Sequence, residues 1–218
     1  MTQALAPHLL SRHGQSRPAR AGISFLGDLS LTIARVHEAC GPARRTFALA
    51  VAAGMQGPVL WISPGWMAER LNPDGMLRLV SPSRFLFVTP RRAEDLLWTM
   101  EEALRSGAVP LVVADLPGPP ALTPVRRLHL AAETGAAEGR HPPLGLILTP
   151  EGAAPGVESR WSLAPRHPDT ATERWEMRRL RARTAPEAVW TVEARPERGL
   201  ALARPPRTDP AEEGWKTP

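Results

Sequence analysis

Residues 84–115 read RFLFVTPRRAEDLLWTMEEALRSGAVPLVVAD. Arg84 to Val88 is a short continuous apolar run, and Val109 to Ala114 is another. Between them, Ala93 to Ser106 sets Leu96, Leu97, Met100 and Leu104 on one helical stripe, with Glu94, Asp95, Glu101 and Glu102 outside it. Gly107 stands where a helix C-cap is expected. Strands without polar alternation are buried on both faces, and a helix between two of them is the crossover of a parallel pair.

The same alternation extends both ways. Upstream, Pro58-Val-Leu-Trp-Ile62 is a buried strand between Gly57 and Pro64, and Phe47 to Met55 is a buried helix beginning near Arg45. Asp28 to Ala39 reads as a turn and a short strand, Ala34 to Ala39, stopped by Gly41-Pro42. Met67 to Met76 reads as loop and broken helix around Asn72-Pro73. Downstream, Thr123 caps a helix to Ala132 with Pro124 at its first position, and Leu144 to Leu148 is a fourth apolar run. The expectation is an α/β fold, a mostly parallel sheet flanked by helices. After Gly156, Arg174 to Arg183 and Val189 to Ala194 alternate polar and apolar residues, the pattern of an antiparallel pair on the sheet edge. Residues 1–24 read as a flexible arm, 25–194 as one domain and 195–218 as a disordered Pro-rich tail.

Composition removes several chemistries. The 218 residues carry a net charge of +5, yet Lys216 is the only lysine among 27 basic residues, and there is no tyrosine. That excludes a conventional phosphate-loop ATPase, a Schiff-base enzyme and lysine-dependent nucleotidyl transfer, as well as tyrosine recombinases and topoisomerases. Cys40 stands alone, so no intramolecular disulfide or cysteine-rich zinc site is expected. The six histidines form no pair at metal-ligand spacing. The longest apolar run, Phe47 to Met55, is too short to span a membrane, and residues 1–25 lack the apolar stretch of a signal peptide. A cytoplasmic protein with no cofactor and no metal is expected.

Two places could carry function. The first is the turn Gly41-Pro-Ala-Arg-Arg-Thr46 between strand and helix, where α/β sheets bind phosphates on helix N–H groups. A working loop needs GxxxxGK[ST]; this one is about two residues short and has Arg44-Arg45 where the second glycine and the lysine belong. An arginine's planar fork does not replace that lysine. Asp115 ends an apolar strand at the position of a Mg²⁺-holding carboxylate. Gly41, Pro42, Arg44, Arg45, Thr46 and Asp115 thus form a degenerate nucleotide site. The second place is basic: Arg174, Arg178, Arg179, Arg181 and Arg183, flanked by Trp161, Trp175 and Trp190. In a regular strand Arg179, Arg181 and Arg183 share one face, which could hold single-stranded DNA by phosphate contact and stacking. His37-Glu38 looks like a dyad, but neighbours in a strand point to opposite faces.

The order of pieces from Arg84 through Ala121-Leu-Thr-Pro124 resembles the ATPase core of RecA. More closely, Arg35-Val-His-Glu-Ala-Cys-Gly-Pro-Ala-Arg-Arg-Thr46, Pro58 to Ile62 and Ala121 to Thr134 are similar to the ImuA proteins of alphaproteobacteria, over about residues 28–194. That resemblance implies a RecA-like core and a non-catalytic accessory role in SOS-induced error-prone translesion synthesis. The implied partners are an ImuB-like inactive Y-family protein, an error-prone replicative-type polymerase, RecA, and DNA directly or through them. It places the phosphate-loop lysine at about Arg45, the catalytic glutamate at about Gly65 and the sensor glutamine near Thr149-Pro150; Asp115 alone matches. Losing one transition-state stabiliser costs about 10²–10³ in rate, so ATP turnover is not expected. Three other readings stay open: a single-stranded DNA binder, ATP held by Arg44 and Arg45, and a division inhibitor like SulA of the same superfamily.

Overall fold

The computed structural model describes residues 21–167, 172–195, 197 and 199–203. The strands are β1 (Gly22–Leu26), β2 (Leu29–Thr32), β3 (Val36–Cys40), β4 (Val59–Ile62), β5 (Phe85–Val88), β6 (Leu111–Asp115), β7 (Leu144–Thr149), β8 (Ser159–Pro165), β9 (Arg174–Ala182), β10 (Ala188–Ala194) and β11 (Leu200–Leu202). The helices are α1 (Arg44–Ala53), α2 (Pro73–Leu77), α3 (Ala93–Ser106) and α4 (Leu122–Glu138). Nine strands form one sheet in the order β11-β10-β9-β8-β3-β7-β6-β4-β5. Pairing is parallel from β8 through β5 and antiparallel from β8 out to β11. This is the α/β sheet with an antiparallel edge that the sequence predicts, and it is consistent with a RecA-like core.

Each sheet face has its own core. On one side α1 buries Phe47, Leu49 and Val51 against Val59, Trp61, Val113, Leu146 and Trp161. The β1–β2 hairpin closes that side, with Phe25 5.2 Å from Phe47 and edge-on to Trp161. On the other side α3 and α4 bury Leu96, Met100, Leu104, Val125 and Leu128 against Ile62, Val112 and Ile147. The two helices meet at glycines: a Cβ on Gly135 would lie 2.0 Å from the Leu104 carbonyl oxygen. Only a bare Cα permits that approach.

Several boundaries differ from the expectation, each for a local reason. Residues 22–24 belong to β1, and Leu200–Leu202 pair with β10, so strand pairing passes both expected ends of the domain. The rest of the arm, the rest of the tail and Lys216 lie outside the described residues. The strand expected from Ala34 begins at Val36, because Ala34 takes a left-handed φ of 55°. Helix α4 starts at Leu122 with Ala121 as N-cap and runs on to Glu138; Thr123 lies inside it and caps nothing. Glu101, expected outside the α3 stripe, is buried and ion-paired with Arg105 and Arg127. Strand β5 is an edge rather than a buried strand, leaving Leu86 53% and Phe87 54% exposed.

Candidate functional site

The turn from β3 into α1 sits beside the carboxyl ends of β6 and β7, where open α/β sheets bind ligands. Gly41 has a φ of 90°, and a Cβ there would come within 2.9 Å of the Leu163 carbonyl oxygen. The turn's amides are already used. Gly41 N–H donates to Pro150 O (3.0 Å), Ala43 N–H to Leu163 O (3.0 Å) and Arg44 N–H to Gly41 O (3.2 Å), while Pro42 has no N–H. A phosphate arriving here would have to compete with carbonyls of β8 and of the segment after β7.

Helix α1 opens with Arg44 and Arg45, with no acidic residue in its first turn and no side-chain cap. Two cations at the positive end of a helix dipole are unfavourable there. Asp115 offsets them. Its carboxylate is 1% exposed and accepts from Arg45 Nε at 2.6 Å and from Arg44 Nε at 3.4 Å. Arg45 also reaches Glu69 at 2.8 Å and the Met67 sulfur. Burial pulls the Arg45 pKa down, but the bonds and charges of Asp115 and Glu69 outweigh it and raise the value. The arrangement is an ion-pair clamp. Of the residues singled out in the sequence it brings Gly41, Arg44, Arg45 and Asp115 together, while Thr46 lines a cleft toward α2.

The positions where the resemblance places catalytic groups have structural partners. Gly65 N–H donates to Pro90 O, and Pro150 O receives the Gly41 amide. Thr149 Oγ1 donates to Glu38 at 2.7 Å and accepts from Gly152 N–H. Glu38 is the group that sequence reasoning undervalued. It is wholly buried and bound by Arg160 Nε (2.5 Å), Thr149 and the Ala154 amide. His37 points to the other face of β3, as the period of a strand requires. Trp161 Nε1–H donates to Ser159 Oγ, whose hydroxyl donates to His37 Nδ1 at 2.7 Å; His37 Nε2–H then donates to Thr32 O. Burial is the largest cause holding His37 at a pKa of about 4. Cys40, two residues beyond Glu38 on the same face of β3, is pushed up to about 11 by burial and then by Glu38, so its thiol stays protonated at neutral pH.

The basic segment departs from its expectation. In the β8–β9 register Trp161 faces Arg179 and Arg160 faces Arg181, with a bulge between. Arg179 therefore turns to the Trp161 side and Arg181 to the opposite side, and no single face carries Arg179, Arg181 and Arg183 together. Arg179 lies over the rings of Trp161 and Trp190, 5.6 and 5.2 Å from their centroids, which is packing rather than an open stacking platform. Arg174 pairs with Glu193, Arg178 with Glu176, and Arg183 with Glu158. A one-residue bulge leaves no clear mark in sequence; Glu176 and Glu193 lie in the two segments that the pattern places, and only Glu158, just before β8, lies outside them.

No protein-family model matches this sequence, and no curated protein does either. Among the described residues, no group of three or more His, Cys, Asp or Glu could hold a metal ion. No helix among them is long and apolar enough to cross a membrane.

Proposed function

We propose that the chain is a non-catalytic RecA-like accessory protein of SOS-induced error-prone translesion synthesis. It acts as an adaptor between an ImuB-like inactive Y-family protein, an error-prone replicative-type polymerase and RecA. The observation that carries the reading is the Arg44–Asp115–Arg45 clamp beneath a turn whose amides are internally bonded. The groups that would hold a nucleotide are spent on holding the fold. A second feature favours association with a related domain. Among the described residues no strand pairs with the outer edge of β5, its Leu86 and Phe87 are exposed, and a cavity of about 220 Å³ lined by Trp61, Leu71 and Phe87 lies next to it. Strand addition to such an edge takes affinity from main-chain hydrogen bonds and specificity from a neighbouring side-chain pocket.

The test mixes the purified protein with RecA filaments on single-stranded DNA and with the ImuB-like protein and polymerase. The reading expects co-purification with the translesion proteins, together with shortened filaments or lowered RecA ATPase. If all three readouts are unchanged, the proposal fails. The DNA-binding alternative is weakened by the paired and divided arginines, and the absence of salt-dependent binding to single-stranded DNA at low ionic strength would close it. A test for cell filamentation on expression separates the division-inhibitor reading.

A further inference from the structure

The cavity of about 220 Å³ beside β5 opens at the carboxyl ends of β4 and β6, where open α/β sheets take ligands. Ser63 follows β4 and Asp115 ends β6, one position beyond the pair Ile62–Ala114, so they are neighbours on the α1 face of strands about 4.8 Å apart. Trp61 lies two residues before Ser63 on that face, opposite Phe87 of β5. Trp61 is 3% and Ser63 6% exposed, yet among the described residues neither the indole N–H nor the hydroxyl has a hydrogen-bond partner. Neither atom is sealed inside the protein, and both residues line this cavity. Indole N–H and hydroxyl groups of buried residues are nearly always bonded, so two left open on one wall mark a place for an occupant. Asp115 Oδ1 holds only Arg44 Nε, at 3.4 Å, and has room for a second donor. The lining charges Arg45, Arg70, Glu69 and Asp115 cancel, so the cavity favours neither an anion nor a cation.

We infer that this cavity binds a neutral planar heterocycle with a ring N–H beside a carbonyl, the edge that thymine, uracil and guanine present. The carbonyl accepts from Trp61 Nε1–H and Ser63 Oγ–H, and the ring N–H donates to Asp115 Oδ1. The ring itself lies against Phe87 and Leu71. Pockets of this kind hold a flat apolar body between hydrophobic walls and fix it with a few placed polar groups. Stacking on an aromatic wall adds to the affinity of a base. Such a base comes as a free nucleoside or within a single strand of nucleic acid. The site uses none of the arginines of β9. It does not rest on the adaptor reading, so its failure would leave the co-purification test of that reading untouched.

The probes are thymidine and 3-methylthymidine, which differ at the ring N–H. Binding to the full chain is read from the indole N–H signal of Trp61 in ¹⁵N spectra, and the other indole signals report that each variant is folded. The site expects a saturable Trp61 shift with thymidine. It expects 3-methylthymidine to bind at least about tenfold more weakly, because the lost hydrogen bond goes to a carboxylate. Ser63→Ala should weaken thymidine about fivefold. Phe87→Ala, at a ring that is 54% exposed, should weaken it about tenfold. An oligodeoxythymidylate that shifts the same signal at lower concentration assigns the base to a strand; equal affinity assigns it to a free nucleoside. No Trp61 shift with either, equal binding of the methylated probe, or thymidine binding indifferent to either substitution overturns the proposal.

Discussion

Two carboxylates are buried in one sheet, Glu38 midway along β3 and Asp115 at the carboxyl end of β6, and they are held in different ways. Glu38, on the α4 side, is bound by an arginine, a hydroxyl and a main-chain amide, and Arg160 is itself anchored to the Ala154 carbonyl at 2.6 Å. Asp115, on the α1 side, is bound by two guanidinium groups, which are 16% and 21% exposed. The first site is closed by a guanidinium that is 17% exposed, a hydroxyl and a backbone amide converging on one carboxylate. The second is closed by two side chains from the first turn of α1. Glu38 thus joins β3 to β7, to β8 and to the segment between them, whereas Asp115 joins β6 to the first turn of α1.

The largest expected effect breaks the Glu38 side. Glu38→Gln keeps the shape but leaves the Arg160 cation without its counter-ion, and losing one partner of a buried pair costs about 3–5 kcal/mol. Urea unfolding of the variant measures it. A loss below about 1 kcal/mol would mean that Glu38 is no anchor, and the contrast with Asp115 would disappear.

Acid acts next, through His37 on the other face of the same strand. Its folded pKa of about 4 lies below its ordinary 6.5, so between those values the unfolded chain takes up a proton that the folded chain refuses. Stability is therefore full above about pH 6.5 and falls as pH drops, by about 3 kcal/mol on reaching pH 4. His129 is shifted down as well, chiefly by burial, and contributes in the same direction. Unfolding measured from pH 7 to pH 4 should slope accordingly, and His37→Gln should flatten most of that slope while leaving the cost of Glu38→Gln at pH 7. A profile unchanged by His37→Gln would remove the buried imidazole from the account.

Much of this frame was legible in the sequence, and the losses have physical causes. The runs at Val59–Ile62 and Leu111–Asp115 read correctly because a strand buried on both faces has nothing polar in it. The same rule hid the β5 edge, since Phe85–Val88 is just as apolar but has a neighbour on one side only. It also made Glu38 look incidental, because its partners Thr149, Ala154 and Arg160 lie more than 100 positions along the chain. Gly41, Arg44, Arg45 and Asp115 were found by their place in a strand–turn–helix order. That order fixes which end of the sheet they share, but pattern alone does not show that the arginines fold back onto the aspartate. The bulge in β9 turned Arg181 away from Arg179 with one inserted residue, which alternation cannot register in advance.

On the Asp115 side, Asp115→Asn should cost less than Glu38→Gln, about 1–3 kcal/mol, because Arg44 and Arg45 can turn toward water once their counter-ion is gone. A double-mutant cycle with Arg45→Gln isolates the coupling. A cost equal to that of Glu38→Gln would make the clamp as rigid as the anchor.

The smallest effect lies at the outer end of the same clamp. Glu69 accepts from Arg45 at 2.8 Å but is 73% exposed, so water and salt screen the pair and a mobile side chain must be ordered to form it. Glu69→Ala should therefore change stability by no more than about 0.5 kcal/mol, and by less still in high salt. Arg45 would keep its bond to the buried Asp115 throughout. Denaturant melts at low and high ionic strength read both numbers. A large, salt-insensitive loss would show that Arg45 is held from outside by Glu69, and Asp115 would then be a passenger in the clamp rather than its centre.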